Sequence, residues 1–105
     1  KPIPPPQIAP ATTIVSENLL QARILRAGDA AAALDPLAAN GLATALWSGM
    51  TAAHAAQALI AGDPSPARAY EYAFLEGIAG QLSGQHALYT AERRFPASPF
   101  WNRRC

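Results

Sequence analysis

The sequence predicts two or three short strands followed by two long helices, and three observations carry that expectation. A β-branched run, Ala11-Thr12-Thr13-Ile14-Val15, reads as a strand. An Ala-rich stretch from Leu42 to Ala61 carries no charged side chain and closes on Gly62-Asp63-Pro64. A third stretch opens on Ser65-Pro66 and repeats Tyr70, Phe74, Ile78 and Leu82 at i, i+4 spacing, the mark of a helix with one apolar stripe.

Each element follows from local chemistry. Residues 1–10 hold five of the ten prolines, which favours an extended connector. After the first strand, Ser16-Glu17-Asn18 reads as a turn, and Leu19 to Leu25 as a second strand leading into Arg26-Ala27-Gly28-Asp29. Pro36 argues against an unbroken helix through 30–41, so this segment reads as a loop with one short turn. The first long helix then runs from Leu42 to Ala61, with glycine and then proline as its stop. Its lack of charge suits either a buried central helix or a membrane span. Ala, Thr, Ser and Gly with His54 and Gln57, and few large aliphatics, favour the buried helix. Trp47 and Met50 read as core on the same grounds. The second helix starts with Ser65 as its cap and Pro66 at its first position, and is expected to reach about Phe95, with Glu71, Glu92 and Arg93 solvated. Gly77, Gly80 and Gly84 weaken it or mark a close neighbour. Pro96 and Pro99 end it, and Phe100-Trp101 offers an aromatic anchor for the tail.

Composition narrows the function classes. The formal charge is +1 and charged residues make up 14%, against about 25% in an ordinary soluble domain. Such a chain has few residues with which to solvate its surface, so part of that surface is expected to face other protein. The paired arginines Arg93-Arg94 and Arg103-Arg104 lack the interleaved aromatics of a nucleic-acid binder and read as solvating a helix end and the tail. Cys105, the lone cysteine, reads as a surface thiol; it excludes an intrachain disulfide and fits a cytoplasmic setting. The start, KPIPPP, carries no signal-peptide pattern.

The chemically informative segment runs from Ala27 to Leu42: AGDAAAALDPLAANGL. It reads as a strand ending in Gly28-Asp29, a loop containing Pro36, and Gly41 at the mouth of a helix. A glycine lets backbone approach a ligand closely. A carboxylate there can accept a hydrogen bond from a sugar-like hydroxyl. Free amides at a helix start favour anionic charge in front of them. Together these suit a polyol attached to a ring that becomes anionic. A plain turn at Gly-Asp and a plain loop at Asn-Gly explain the same residues, and the residues alone leave both readings open.

The spacing of Gly28-Asp29-Ala30-Ala31, Pro36 and Gly41-Leu42 resembles the second FAD-binding motif of the para-hydroxybenzoate hydroxylase and tryptophan halogenase superfamily of flavoproteins. Asp35-Pro36-Leu37 resembles the halogenase-like branch in particular. Tyr89, Glu92-Arg93, Phe95 and Phe100-Trp101 resemble the family's C-terminal helix and its aromatic end. The resemblance spans roughly residues 8–104.

It implies an α/β intact protein with a glutathione-reductase-like FAD-binding fold, of which this chain is a C-terminal fragment. Residues 1–15 would be a connector and strand from the substrate-domain side, 16–64 the last part of the FAD-binding domain, and 65–105 the C-terminal helix and tail. Asp29 would hold a ribityl hydroxyl of FAD, with Gly28 allowing the approach. Pro36 would lie near the flavin ring, and Asn40, Gly41 and Leu42 would offer backbone amides to its N1–C2=O edge. The implied activity is monooxygenation of an aromatic substrate, tryptophan or peptidyl tryptophan among the candidates, through a flavin C4a-hydroperoxide. NAD(P)H or a separate flavin reductase would reduce the FAD.

A flavin-dependent halogenase is the alternative within the family, and a non-enzymatic helical interaction module the alternative outside it. The family's Gly-x-Gly-x-x-Gly turn does not occur in this sequence, so the expected partner is an N-terminal remainder that carries it. The only lysine is Lys1, so the lysine that halogenases use is not supplied by the helices here. No metal, nucleic acid or membrane span is expected. His54, His86, Asp63 and Glu76 read as structural or solvated, and Asp35 as the cap of the turn that follows it.

Overall fold

The computed structural model describes residues 1–8 and 11–103. The expectations for Pro10, Arg104 and Cys105 lie outside the described residues. Residues 1–8 are exposed and belong to no helix or strand, as the prolines dictate.

Strand β1 (Ile14–Val15) is shorter than the ATTIV run. It pairs antiparallel with β4 (Ala32–Ala33), Ile14 opposite Ala33 and Val15 opposite Ala32. The Ser16 amide extends this ladder by donating to the Ala31 carbonyl at 2.8 Å. The expected second strand, Leu19 to Leu25, is instead a hairpin: β2 (Leu20–Gln21) turns through Ala22-Arg23 into β3 (Ile24–Leu25). Ala22 takes φ +55°, the left-handed geometry a two-residue hairpin turn demands. Arg26 pins the hairpin. Its amide donates to the Leu19 carbonyl at 2.7 Å, and its guanidinium donates to the Asn18 carbonyl at 2.6 Å.

Two single turns of 3-10 helix, Gly28–Ala30 and Pro36–Ala38, flank β4. Gly28-Asp29 therefore lies in a turn just past β3 and not at a strand end. The loop expected over 30–41 contains β4 as well as the turn after Pro36.

Helix α1 spans Gly41–Ile60 and α2 spans Ser65–Ala91. The stop between them has a full chemical account. Gly62, at φ +87°, donates to the Leu59 carbonyl, and Asp63 donates to the Ala58 carbonyl, which completes a Schellman arrangement that Pro64 then seals. Ser65 is not the cap. It is the first helical residue, and its amide donates to the Asp63 carboxylate at 3.0 Å. Helix α2 ends at Ala91, short of Phe95, because Glu92 is extended and the residue before Pro96 disfavours helix. Glu92 and Arg94 replace the missing turn with a local ion pair. A short helix, α3 (Pro99–Asn102), follows.

The core is small and formed where the two long helices meet the strands. Ala52 and Ala55 of α1, Ala67, Tyr70, Phe74 and Ile78 of α2, and Leu19, Ala31 and Ala32 compose it. Alanine on α1 brings the helices close enough for the α2 aromatics to span the interface. Leu82 lies at the margin of the stripe, 40% exposed. Glu71, expected in solvent, accepts the Leu20 amide at 3.0 Å and so ties the hairpin to α2.

Within this chain α1 is not a buried central helix. Ser48, Ala52 and Ala55 are buried, whereas Leu42, Leu46, Met50 and Ile60 are exposed, Ile60 by 89%. Met50 is therefore surface and not core. Trp47 is 43% exposed but stacks on Phe74 at 6.2 Å and meets the Tyr70 ring at a tilt at 5.9 Å. Gly77, Gly80 and Gly84 do not interrupt α2, and a methyl at any of them would meet nothing within 4 Å beyond the helix's own backbone. Among the described residues, no helix is long and apolar enough to cross a membrane.

Candidate functional site

The turn after β3, the turn after Pro36 and the start of α1 surround one open cleft of about 530 Å³. Asp29 comes from the first turn, Pro36 and Ala39 from the second, and Gly41 from the helix mouth. Three of the six residues singled out in the sequence, Asp29, Pro36 and Gly41, thus line the same space.

Local chemistry explains the arrangement. Gly28 takes φ +57°, a conformation that turns the chain and costs an L-residue energy. Its amide donates to Ser48 Oγ at 2.9 Å, and a methyl group at Gly28 would sit 3.6 Å from Ala45 Cβ. Gly28 therefore docks its turn on α1, and Asp29 projects beyond it, exposed and free of hydrogen bonds among the described residues. On the far side, Asp35 Oδ1 accepts the Leu37 amide at 2.9 Å, the expected cap of that turn. Ala39, at φ +53°, ends the turn in left-handed geometry against the cleft.

The α1 mouth carries no side-chain cap. Asn40 contributes its carbonyl to the Thr44 amide, and its side chain makes no capping bond. The first-turn amides of an α-helix have no partners within the helix, and those of Gly41, Leu42 and Ala43 have none among the described residues. Their partial positive charge is suited to an anionic edge. Asn40 itself lines a separate groove, with Gln81 and Gln85 of α2. The Leu42 side chain is exposed, so any part it takes in the cleft is through its amide. Gly28, Asn40 and Leu42 thus frame the cleft from its supports and do not line it.

Four residues matter here that sequence reasoning passed over or assigned elsewhere. Ser48 is fully buried and holds Gly28. Tyr70 donates its hydroxyl to the Arg26 carbonyl at 2.7 Å, just upstream of the turn that bears Asp29. Burial pushes the Tyr70 phenol above its ordinary range, with the Ser48 hydroxyl working partly against that shift. Thr13 Oγ1 accepts the Asp35 amide at 3.1 Å. Tyr89 donates its hydroxyl to Asp35 Oδ2 at 3.0 Å. A serine amid alanines on an apolar helix was the readable signal for Ser48, since a buried hydroxyl must find a partner. Tyr89 gave no local signal, because its partner is distant in sequence.

His54 and His86 are exposed and lie away from the cleft. Among the described residues, no group of His, Cys, Asp and Glu could hold a metal ion.

The donor set fits a flavin nucleotide in kind. It offers one unpaired carboxylate for a hydroxyl and one uncapped helix start for an anionic ring edge, with a proline wall between them. Comparison with protein-family models, curated proteins and solved structures finds no match to this chain.

Proposed function

We propose that this chain is the C-terminal part of an FAD-dependent monooxygenase-type oxidoreductase, acting with an N-terminal portion that carries the pyrophosphate-binding turn. One observation supports the reading above the others: Asp29, Pro36 and the uncapped mouth of α1 at Gly41 face a single cleft. These are residues that the motif spacing singles out independently of the fold. In the proposal, Asp29 accepts a hydrogen bond from a ribityl hydroxyl. The amides of Gly41 and Leu42 stabilise negative charge at the N1–C2=O edge of the ring. Pro36 shapes the wall beside the ring and limits water there, and Gly28, held by Ser48, sets the height of Asp29. When bound and reduced, the flavin would supply the oxygen chemistry for hydroxylating an aromatic substrate. A halogenase remains the neighbouring reading, and there the required lysine would come from the other portion.

The test is FAD retention by Asp29→Ala in the chain joined to its pyrophosphate-binding portion. Loss of one hydrogen bond to a charged acceptor is worth about 1.5–3 kcal/mol, so FAD affinity should fall by roughly ten- to a hundredfold. Unchanged affinity in that variant would count against the assignment.

A second reading, a helical interaction module without cofactor, draws on the exposed apolar side chains of α1: Leu42, Leu46, Met50 and Ile60. It predicts a colourless protein even with the N-terminal portion present, where the flavin reading predicts a yellow one.

A further inference from the structure

The tyrosine near the end of α2 reaches back to the wall of the cleft. Tyr89 and Asp35 are each 7% exposed and lie 54 residues apart in sequence, yet the tyrosine hydroxyl donates to Asp35 Oδ2 at 3.0 Å. The other carboxylate oxygen accepts the Leu37 amide at 2.9 Å, and the Asp35 amide is taken by Thr13 Oγ1 at 3.1 Å. Asp35 is therefore held from β1's approach, from its own turn and from α2 at once. Pro36 follows it directly and forms the wall of the cleft. Behind the tyrosine, the Trp101 ring of α3 meets Tyr89 edge to face at 5.8 Å. A continuous set of contacts thus runs from α3 through Tyr89 and Asp35 to Pro36.

A buried carboxylate so fully engaged has one arrangement that satisfies it, and losing one donor leaves an oxygen both buried and unmet. Among the described residues no side-chain hydrogen bond ties the turn after Asp35 to α1, whose first turn is uncapped. We infer that Tyr89 is a positioning residue for the proposed cofactor site: its hydroxyl fixes Asp35, and through Asp35 the Pro36 wall and the Leu37 turn. The C-terminal segment from Tyr89 to Trp101 then belongs to the site's support, although none of it lines the cleft. This inference rests on the FAD reading for its functional consequence.

The experiment uses the chain joined to its pyrophosphate-binding portion and compares wild type, Tyr89→Phe, Asp35→Ala and the double variant. Ile78→Val serves as a control that destabilises the same helix away from the cleft. FAD affinity is read by flavin fluorescence, and exchange of the Leu37 amide by hydrogen–deuterium exchange. Tyr89→Phe should weaken FAD about tenfold and speed Leu37 exchange, and should cost no further affinity in the Asp35→Ala background. Ile78→Val should lower thermal stability and leave FAD affinity unchanged. Should Tyr89→Phe fail to fold, the wild type alone still decides: FAD must slow Leu37 exchange, because coupling is reciprocal. Wild type that binds FAD while Tyr89→Phe binds it equally well, or while Leu37 exchange ignores FAD, overturns this inference and leaves the FAD reading standing. Wild type that takes up no FAD overturns both.

Discussion

Ser48 sits fully buried on a helix face otherwise made of alanine, and its hydroxyl is the acceptor for the Gly28 amide. Removing it would leave that amide without a partner, at a cost of about 1–3 kcal/mol. Ser48→Ala is thus expected to lower the denaturant midpoint clearly despite deleting a single oxygen. Gly28→Ala tests the other half of the contact. The added methyl would meet Ala45 at an ordinary 3.6 Å, so the loss comes from backbone geometry at φ +57° and should be about 1–2 kcal/mol. A Gly28→Ala variant as stable as wild type would mean that this turn relaxes away from left-handed geometry. The sequence singled out Gly28 for close backbone approach to a ligand, and the contact visible within this chain is with α1, reached at φ +57°. Asp35 was legible as a cap because its partner lies two residues on. Its bond to Tyr89 was not, because no local pattern links residues 54 apart.

At the scale of elements, both long helices were visible in the sequence. In the stop Gly62-Asp63-Pro64, glycine supplies left-handed backbone, aspartate a carboxylate for the next helix start, and proline a ring that bars continuation. The strands were harder to read. A continuous apolar run from Leu19 to Leu25 hid a two-residue reversal, because the turn uses Ala22 at φ +55° where glycine or asparagine would have announced it. The α1–α2 interface rests on Tyr70, Phe74 and Ile78 against alanines. Tyr70 adds a pH dependence. Its phenol is raised above the ordinary value of 10.0 by burial, so the unfolded chain loses the proton first as pH rises. The stabilisation is present in full below pH 10.0 and is lost as pH climbs through the raised value. Urea midpoints measured on both sides of that pH should fall more steeply for wild type than for Tyr70→Phe. Parallel slopes would show that the fold leaves the titration of this phenol unshifted. Glu92 works in the opposite direction. The Arg94 side chain beside it holds its carboxyl down at about 2, so this ion pair persists until strongly acid pH. With the Arg94 side chain 78% exposed to solvent, the pair adds little stability.

Across the whole molecule, the radius of gyration is 17.4 Å, against about 13 Å for a compact domain of this length. The low charge content raised the expectation of a covered surface, and Met50 and Ile60 of α1 stand exposed in this chain. The cleft itself was legible only in part. Motif spacing singled out Asp29, Pro36 and Gly41, but that Asn40 would turn toward α2 followed from packing across the chain. The proposed function depends on the carboxylate of Asp29 and the uncapped α1 mouth acting together on one flavin. Hydrogen–deuterium exchange of the chain joined to the proposed pyrophosphate-binding portion, with and without FAD, addresses that dependence most directly. FAD should slow exchange at the Gly41, Leu42 and Ala43 amides in wild type, and do so far less in Asp29→Ala at the same FAD concentration. Exchange at those amides that is indifferent to saturating FAD would contradict the account.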